Sequence, residues 1–285
     1  MVKSPIGNSR SKRKRSVIIA GYPKSGNTWI TRLTAELLQC PVSGFWRDSR
    51  DRQEIACEGE NRISTFECYK SHHPLRVFKG RLKKAKDFHV IHVVRDPRDI
   101  SVSGSNFFLL EKDFLIKTKH LLDHFSRSGK LYETLIRHLK RTSIDRSLYT
   151  HTGPDRIDKM IETLIDGNED FCHWLIPWKT YVNPYLDSEV LSVKYEDMLR
   201  DPFRECLRIL DYIGVHKNEA EILEAIKKQS FDQLKKKYSE SNDSRRSSFL
   251  NVGKSEQWRA QLNKRQKDRF IVFLKELEHL NYPLK

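Results

Sequence analysis

The chain has 285 residues, a typical length for one domain with a substantial hydrophobic core. Its five cysteines include no Cys-x-x-Cys pair, which argues against a disulfide framework or a zinc site and favours a reducing compartment. No apolar run approaches the roughly 20 residues of a membrane span, and the apolar stretch after the basic start is too short for a signal peptide. We therefore expect a cytoplasmic protein without a membrane anchor.

The chain is strongly basic, with a formal net charge of +15 at pH 7. Residues 1–15 end in a run of Lys and Arg and are predicted to form a basic, solvated arm, followed by one domain over residues 16–285. The other Lys and Arg residues are spread along the chain without the aromatic signatures of RNA-binding modules. A basic pocket for an anionic small molecule is therefore favoured over a nucleic-acid surface.

The first predicted element is a short buried strand, Val17–Ala20, which leads through a Gly-rich turn into an amphipathic helix beginning at Asn27. Such a turn aims several backbone N–H groups at one point in front of the helix dipole. Lys24 and the hydroxyl groups of Ser25 and Thr28 stand beside these donors. The sequence therefore predicts a binding site for phosphate or sulfate.

Gly21 and Gly26 have the spacing of an NTPase P-loop, but Lys24 stands within the loop instead of directly after the second glycine. A lysine at this position lies nearer the group carried by a 5′-phosphate than the β- and γ-phosphates of a triphosphate. The segment Tyr22–Trp29 resembles the 5′-phosphosulfate loop of the cytosolic-type sulfotransferases. The resemblance implies that the chain uses 3′-phosphoadenosine 5′-phosphosulfate (PAPS) and releases adenosine 3′,5′-bisphosphate (PAP).

Strands and helices are predicted to alternate along the rest of the chain, which indicates one α/β domain with a mostly parallel sheet flanked by helices. The first helix is expected to end near Gln39, and a polar, irregular stretch is expected from there to about Phe66. The further predicted elements are strands at Val90–Val94 and Val190–Val193 and helices at about Pro97–Leu110, Pro202–Ile213, Asn218–Gln229 and Lys264–Leu280.

The candidate base lies in the segment Lys70–Pro74, which resembles the Lys-Thr-His-x-Pro segment of the same family. This register makes His72 the catalytic histidine and places Lys70 beside the sulfonate. An exchange of roles between His72 and His73 stays open, because adjacent side chains of an extended segment point in opposite directions. The resemblance implies that His72 takes a proton from the acceptor while Lys24 stabilises the leaving group, with no metal required.

Arg95 follows the strand Val90–Val94, and Ser103 lies about two helical turns further on. Parallel strands bind ligands at their carboxyl ends, so Arg95 is expected at the same edge as Lys24. The segment Arg95–Ser103 resembles the family segment whose Arg and terminal Ser bind the 3′-phosphate, and Arg can meet phosphate oxygens bidentately. The resemblance also implies that Ser103 holds Lys24 away from the bridging oxygen until acceptor binds.

The remaining nucleotide contacts follow from the family resemblance alone. Trp29 and Phe231 match aromatic residues that sandwich the adenine, and Tyr195 matches a tyrosine near the adenosine. The complete nucleotide-binding set predicted in this way is Lys24, Ser25, Gly26, Asn27, Thr28, Trp29, Arg95, Ser103, Tyr195, Ser230, Phe231, Gly253 and Lys254. The predicted catalytic set is His72, Lys24, Lys70 and Ser103.

The last family signature, Arg-Lys-Gly-x-x-Gly-Asp-Trp, is altered in this chain. Residues 251–258 keep Gly253 and Trp258, but the Arg-Lys pair is missing. The 3′-phosphate should then depend on Arg95 and Ser103 together with either Lys254 or the upstream pair at residues 245–246. We predict that Lys254 takes over the role of the missing pair.

The segment between Phe108 and Gly167 is longer than its family equivalent. It is predicted to form helices at about Lys117–Leu139 and Asp155–Ile165, so that a helical insertion over residues 111–166 covers the acceptor site. Residues 167–174 match a segment that lines the route to the acceptor. The C-terminal dimerisation signature of the family is not found, so the oligomeric state stays open.

Two other functions compete with the predicted transfer of a sulfuryl group to a hydroxyl or amine of a small molecule. A P-loop kinase or NTPase would use Asp96 as its magnesium carboxylate. The position of Lys24, the absence of a lysine directly before Thr28 and the presence of His72 argue against it. A basic nucleic-acid-binding module is the third possibility.

Overall fold

The computed structural model describes residues 14–47, 57–82, 87–108, 154–169, 172–240 and 253–275, together with residues 280 and 282. The strands are β1 (Arg15–Gly21), β2 (Val42–Phe45), β3 (Cys57–Glu58), β4 (Phe66–Ser71), β5 (Phe88–Val94) and β6 (Leu191–Lys194). They form one six-stranded sheet in the order β3-β2-β4-β1-β5-β6. Every neighbouring pair is parallel except β2 with β3.

Helices follow most of the strands and cover the sheet. Their bounds are α1 (Asn27–Leu37), α2 (Lys79–Leu82), α3 (Pro97–Ser105), α4 (Pro154–Asp166), α5 (Trp178–Leu186), α6 (Tyr195–Arg200), α7 (Pro202–Ile213), α8 (Glu219–Lys228), α9 (Phe231–Glu240), α10 (Trp258–Gln261) and α11 (Lys264–Lys275). Several helices begin at an Asp or Asn residue whose side-chain oxygen accepts a hydrogen bond from an N–H group of the first turn, which stabilises the helix start. Asp96 caps α3, Asp201 caps α7 and Asn218 caps α8.

The central strands are buried on both faces, since successive side chains point to opposite sides of a strand. Ile18 and Val90 belong to a core formed with α3, α4, α5 and α11. Val17 and Ile91 belong to a second core, formed with α1, α7 and α8 on the other face. The sheet is therefore the middle layer of a three-layer α/β domain, which confirms the predicted fold class.

The prediction of an irregular stretch before Phe66 is wrong, because this part of the chain contains two strands. β2 is only four residues long and includes a glycine, and β3 has two residues, so neither shows a hydrophobic pattern long enough to identify a strand. β4 was also not predicted as a strand, although buried and partly buried residues alternate over its first four positions. Pairing with β1 stabilises β4, and this long-range interaction cannot be read from local sequence.

The helix predictions succeeded where caps or apolar periodicity were clear. α7 has its predicted bounds, and α4 confirms the helix predicted at Asp155–Ile165. α5 was missed because Pro184 interrupts its sequence, and α9 because Phe231–Glu240 is rich in charged residues. The arm at residues 1–13 and the helix predicted at Lys117–Leu139 lie outside the described residues.

α4 is a core helix. Its Met160, Ile161 and Leu164 are fully buried among the residues of the first core. A Cβ built on Gly104 of α3 would lie 2.7 Å from the Met160 sulfur, so the two helices pack closely. The last part of the predicted insertion therefore belongs to the body of the domain, and the lid role stays a prediction for residues 111–153.

The parallel strands end at one edge of the sheet. Ala20 lies opposite Ser71, Gly21 opposite Val93 and Val94 opposite Lys194. The residues that directly follow these strand ends are Tyr22, His72, Arg95 and Tyr195. Four chain segments distant in sequence are thus brought together at the carboxyl ends of β1, β4, β5 and β6.

Gly26→Ala is expected to lower the free energy of unfolding more than Gly214→Ala. Both glycines have positive φ angles, 94° and 73°, a region that costs a non-glycine residue about 1–2 kcal/mol. A Cβ at Gly26 would also lie 2.4 Å from the Tyr195 ring, whereas a Cβ at Gly214 would meet nothing within 4 Å.

Urea unfolding of both variants measures the difference. Gly80→Ala is the control, because Gly80 has an open surrounding and no positive φ, and it should change stability by about 1 kcal/mol or less. Equal losses for Gly26→Ala and Gly214→Ala would contradict close packing of Tyr195 on the loop.

Candidate active site

The loop Tyr22–Gly26 connects β1 to α1 and has the geometry of an anion site. Lys24 and Gly26 both have positive φ angles, 72° and 94°, and Ser25 donates its backbone N–H to the Tyr22 carbonyl at 3.1 Å. The first N–H groups of α1 follow directly and have no acceptor within the helix. The loop therefore places helix-terminal donors beside two polar side chains, Ser25 and Thr28.

The surroundings of the Ser25 hydroxyl indicate that a ligand binds there. Ser25 is 1% exposed, and its Oγ has no hydrogen-bond partner in the described part of the chain. A buried hydroxyl without a partner is costly unless a ligand or water binds it. The donor set of the loop thus fits an anionic oxygen.

Lys24 extends its ammonium over the Phe107 ring, 3.9 Å from the ring centre. Burial, followed by the nearby charge of Arg95, lowers the pKa of Lys24 to about 8. The ammonium is still mostly charged at pH 7, and an anion bound in the loop would stabilise the charged form further. Ser103, predicted to contact Lys24, is buried on α3 at 5% exposure.

Lys70 lies on β4 beside the start of α1. Its ammonium donates to Thr28 Oγ1 at 2.9 Å and lies 4.8 Å from the centre of the Phe45 ring. The bond connects the strand that leads to His72 with the first turn of α1. A second cation is thereby held at the mouth of the loop.

His72 contacts the end of β1 through its Nδ1 atom, which lies 2.7 Å from the Gly21 carbonyl oxygen. A carbonyl only accepts, so Nδ1 carries the proton and Nε2 of the neutral ring carries a lone pair. Burial, and next the charge of Lys70, hold the pKa of His72 well below its usual value. His72 is therefore neutral near pH 7 and can accept a proton at Nε2.

His73 has different surroundings from His72. Its ring packs against Trp46 and Phe78, with ring centres 6.0 and 6.4 Å apart. Its backbone carbonyl accepts bonds from the hydroxyl groups of Tyr181 and Tyr185 at 3.1 and 2.7 Å. Of the two adjacent histidines, His72 is the one whose ring contacts the end of β1.

Arg95 joins the loop to the C-terminal segment. It donates to the carbonyl of Lys24 at 3.0 Å and to that of Lys254 at 3.3 Å, and its guanidinium lies 4.3 Å from the centre of the Tyr195 ring. Its Nε atom is buried without a hydrogen-bond partner among the described residues. Two backbone carbonyls thus hold Arg95, the residue predicted to bind the 3′-phosphate, in place.

Asp99 was not predicted as a site residue, but it fixes the segment that follows Gly253. Its carboxylate accepts the backbone N–H groups of Glu256 at 2.7 Å and Trp258 at 3.2 Å. Gly253 has a φ of 63°, and a Cβ there would lie 2.5 Å from the Phe231 ring. The altered signature therefore still packs against the expected aromatic residue.

Two of the residues predicted to contact the adenosine, Trp29 and Ser230, make hydrogen bonds within the protein. Trp29 donates its indole N–H to the Gln229 carbonyl at 2.8 Å and meets Tyr195 edge to face, with ring centres 5.8 Å apart. Ser230 stands at the start of α9, where its hydroxyl accepts the Gln233 N–H at 3.4 Å. The structure brings Trp29 and Tyr195 into contact beside the loop.

Two aromatic residues form a wall beside the candidate base. Phe45 and Trp174 are stacked, with centres 5.7 Å apart and planes 7° apart, and both contact His72, with centres 5.6 and 5.2 Å away. Trp174 falls in the segment predicted to line the acceptor route. Phe45 was missed because β2, which carries it, was missed.

Asn27 was predicted to bind the nucleotide, but its side chain points into the protein. It donates to the carbonyls of Gly21 at 2.8 Å and Ser71 at 3.1 Å, and it is 3% exposed. Only the backbone N–H of Asn27, at the start of α1, can face a ligand in the loop. The side chain instead connects the ends of β1 and β4.

Within the described ranges, no group of three or more His, Cys, Asp and Glu side chains could hold a metal ion. Among the helices described above, none is long and apolar enough to cross a membrane.

The sequence matches the family model for the sulfotransferase domain over residues 14–281. This chain belongs to that family of enzymes, which transfer sulfuryl groups, and the resemblance drawn from its motifs is confirmed. It is 23% identical over 278 residues to sulfotransferase 1A1 of Rattus norvegicus, covering 89% of this chain and 81% of the relative. It is 22% identical over 245 residues to sulfotransferase 1E1 of Cavia porcellus, covering 78% and 67%.

Solved structures with the same fold include a mouse sulfotransferase complexed with PAP, with a TM-score of 0.59, 17% identity and coverage of 93% of this chain and 84% of that one. Retinol dehydratase in complex with androsterone and PAP has a TM-score of 0.60, 16% identity and coverage of 93% and 80%. At these identities the likeness establishes the fold.

Proposed function

We propose that this protein transfers the sulfuryl group of PAPS to a hydroxyl or amine of a small molecule. The observation that carries the proposal is the 2.7 Å contact of His72 Nδ1 with the Gly21 carbonyl oxygen, beside the loop that holds Lys24. Membership of the sulfotransferase family supports the reaction, and the presence of PAP in structures of the same fold supports the donor. PAPS supplies the sulfuryl group and leaves as PAP.

His72 is assigned the role of general base. Its Nε2 lone pair accepts the proton as the acceptor oxygen or nitrogen attacks sulfur, and the Gly21 carbonyl keeps the proton on Nδ1. A positioned base of this kind contributes a rate factor of about 10² to 10⁴. The wall of Phe45 and Trp174 supports an acceptor with an apolar surface next to its nucleophile.

The two lysines are assigned to the charges that develop during transfer. Lys24 stabilises the negative charge on the oxygen that leaves sulfur, because its ammonium is buried and charged at pH 7. Lys70, whose ammonium donates to Thr28 Oγ1, is assigned to stabilise the sulfonate. Ser103 is the proposed partner of Lys24 before the acceptor binds.

The nucleotide is proposed to bind between the loop and the C-terminal segment. The unpartnered Ser25 hydroxyl and the N-terminus of α1 fit its 5′-phosphate, and the unpartnered Nε of Arg95 fits the 3′-phosphate. Trp29, Tyr195, Ser230 and Phe231 are assigned to the adenosine.

The environment of Asp96 speaks against the kinase alternative. Both of its carboxylate oxygens bind the Arg98 guanidinium, at 2.6 to 3.1 Å, and one also caps α3. To bind magnesium, Asp96 would have to give up this buried ion pair with Arg98.

The cytoplasmic location expected from the cysteine content stays a prediction.

A screen for transfer of labelled sulfate from PAPS to phenols, alcohols, amines and guanidinium compounds tests the proposed function. The wild type should sulfate at least one class, and His72→Ala and Lys24→Ala should each lower kcat by about 10² or more. His72→Ala should still bind PAP in calorimetry, because the base contributes little to nucleotide binding. The exposed His216→Ala is the matched control. Absence of transfer to every class, or full activity of His72→Ala, would contradict the proposal.

The pH profile of kcat/KM for the donor should fall on the basic side near pH 8. Below the Lys24 pKa of about 8 the ammonium is charged, and above it the charge is lost. On the acid side, activity should fall only below pH 6.5, because the pKa of His72 is depressed. Lys24→Arg keeps its charge throughout this range and should lose the basic limb. A basic limb that persists unchanged in Lys24→Arg would contradict the assignment.

Lys254→Ala should weaken PAP binding by about tenfold or more, since a hydrogen bond to a charged group is worth about 1.5–3 kcal/mol. Binding of adenosine 5′-phosphosulfate, which lacks the 3′-phosphate, should not change. Lys264→Ala is the control, as an exposed lysine at the start of α11. Unchanged PAP affinity in Lys254→Ala would overturn the role of Lys254 and leave residues 245–246, outside the described ranges, as the alternative.

A further inference from the structure

The Asn27 side chain lies where β1, β4 and α1 meet. Its Nδ2 atom is 2.8 Å from the Gly21 carbonyl oxygen and 3.1 Å from the Ser71 carbonyl oxygen. The same atom is 3.2 Å from Nδ1 of His72, which in turn lies 2.7 Å from the Gly21 oxygen. The Asn27 amide therefore contacts the end of β1, the end of β4 and the ring of His72.

The orientation of this amide follows from its partners. Two carbonyl acceptors require the NH₂ group on their side, and they use both of its hydrogens. No amide hydrogen is left for His72, so the contact at 3.2 Å brings two N–H donors together without a hydrogen bond. Both donors therefore converge on the Gly21 carbonyl, which accepts from Asn27 and from His72.

Gly21 makes this approach possible. A Cβ at this position would lie 2.4 Å from Oδ1 of Asn27 and 2.8 Å from the Val93 carbonyl oxygen. The Asn27 side chain is 3% exposed, and its Oδ1 has no hydrogen-bond partner within the described residues. Burying an oxygen without a hydrogen-bond partner costs free energy. The hydrogen bonds of the Asn27 amide alone therefore do not account for its buried position.

We propose that Asn27 is a positioning residue for the general base. By binding the Gly21 and Ser71 carbonyls, it fixes the one acceptor that keeps the His72 proton on Nδ1 and leaves Nε2 able to take a proton. This inference rests on the proposed role of His72, and it assigns the Asn27 side chain to the base instead of to the nucleotide.

The charges around His72 determine what a change at position 27 would do. The charges of Lys70, His73 and Lys24 each disfavour the imidazolium, whereas the bond to the Gly21 carbonyl favours it. The Asn27 NH₂ group adds a positive dipole end beside Nδ1. A carboxylate at this position would instead accept from Nδ1 and stabilise the imidazolium.

Asn27→Asp and Asn27→Ala test the proposal by two readouts. In ¹⁵N NMR titrations of the ligand-free protein, Asn27→Asp should raise the pKa of His72 by at least about 1, because an opposite charge at this distance has that effect. Asn27→Ala should convert the single Nδ1-protonated form into a mixture of tautomers. In kinetics, the acid limb of kcat should move to higher pH in Asn27→Asp, and kcat of Asn27→Ala should fall about tenfold or more with the KM for PAPS within about threefold.

Asn218→Asp is the matched control, because it makes the same chemical change at the exposed cap of α8. It should leave the His72 titration and kcat unchanged. If Asn27→Asp does not fold, Asn27→Ala decides through the tautomer populations. Unchanged His72 tautomer and pKa in the folded Asn27 variants would overturn the proposal.

The NMR titration does not require catalysis, so it separates this inference from the proposed function. An altered His72 titration without sulfate transfer in the wild type would support the positioning contact and contradict the reaction. Normal transfer with an unaltered titration would leave the reaction and reject the role of Asn27.

Discussion

The site depends on the parallel pairing of β4, β1, β5 and β6, which makes four strands end at one edge of the sheet. Pairing of β1 with β4 sets Ala20 opposite Ser71, so the residue after β4 lies beside the loop after β1. Pairing with β5 brings Arg95 to the same edge. Without this register, His72 and the loop Tyr22–Gly26 would be unrelated segments of chain.

The second constraint is the concentration of positive charge at that edge. Lys24, Lys70 and Arg95 are held within a partly buried region, and the Arg95 charge contributes to the lowered pKa of Lys24. Backbone carbonyls and aromatic faces offset part of the charge, as with Arg95 over the Tyr195 ring. An anionic cosubstrate would neutralise the rest, so binding of the donor and protonation of Lys24 are coupled.

The motifs with special backbone or charge requirements could be predicted from the sequence. The loop glycines and Lys24 predicted an anion site by their residue types, whereas the segment from Lys70 to His72 was singled out by its resemblance to the family segment. The strands β2 and β3 could not be predicted, because they are short and gain their stability from pairing within the sheet. The wall residue Phe45 was lost with β2.

The direction of a buried side chain was equally hidden from the sequence. Asn27 stands among residues that the sequence predicts to bind phosphate, and nothing in the local sequence shows that its amide turns towards Gly21 and Ser71. The same holds for Asp99, which looks like ordinary helix decoration and in the structure fixes the backbone of Glu256 and Trp258. Long-range carbonyl and N–H partners decide both cases.

Calorimetric titration with PAP in the presence of EDTA, beside titration with ATP in the presence and absence of magnesium, tests the central claim most directly. If Ser25, Lys24 and Arg95 form a sulfotransferase site, PAP should bind tightly, and its affinity should not depend on metal. Weak binding of PAP, together with ATP binding that tightens when magnesium is added, would contradict it.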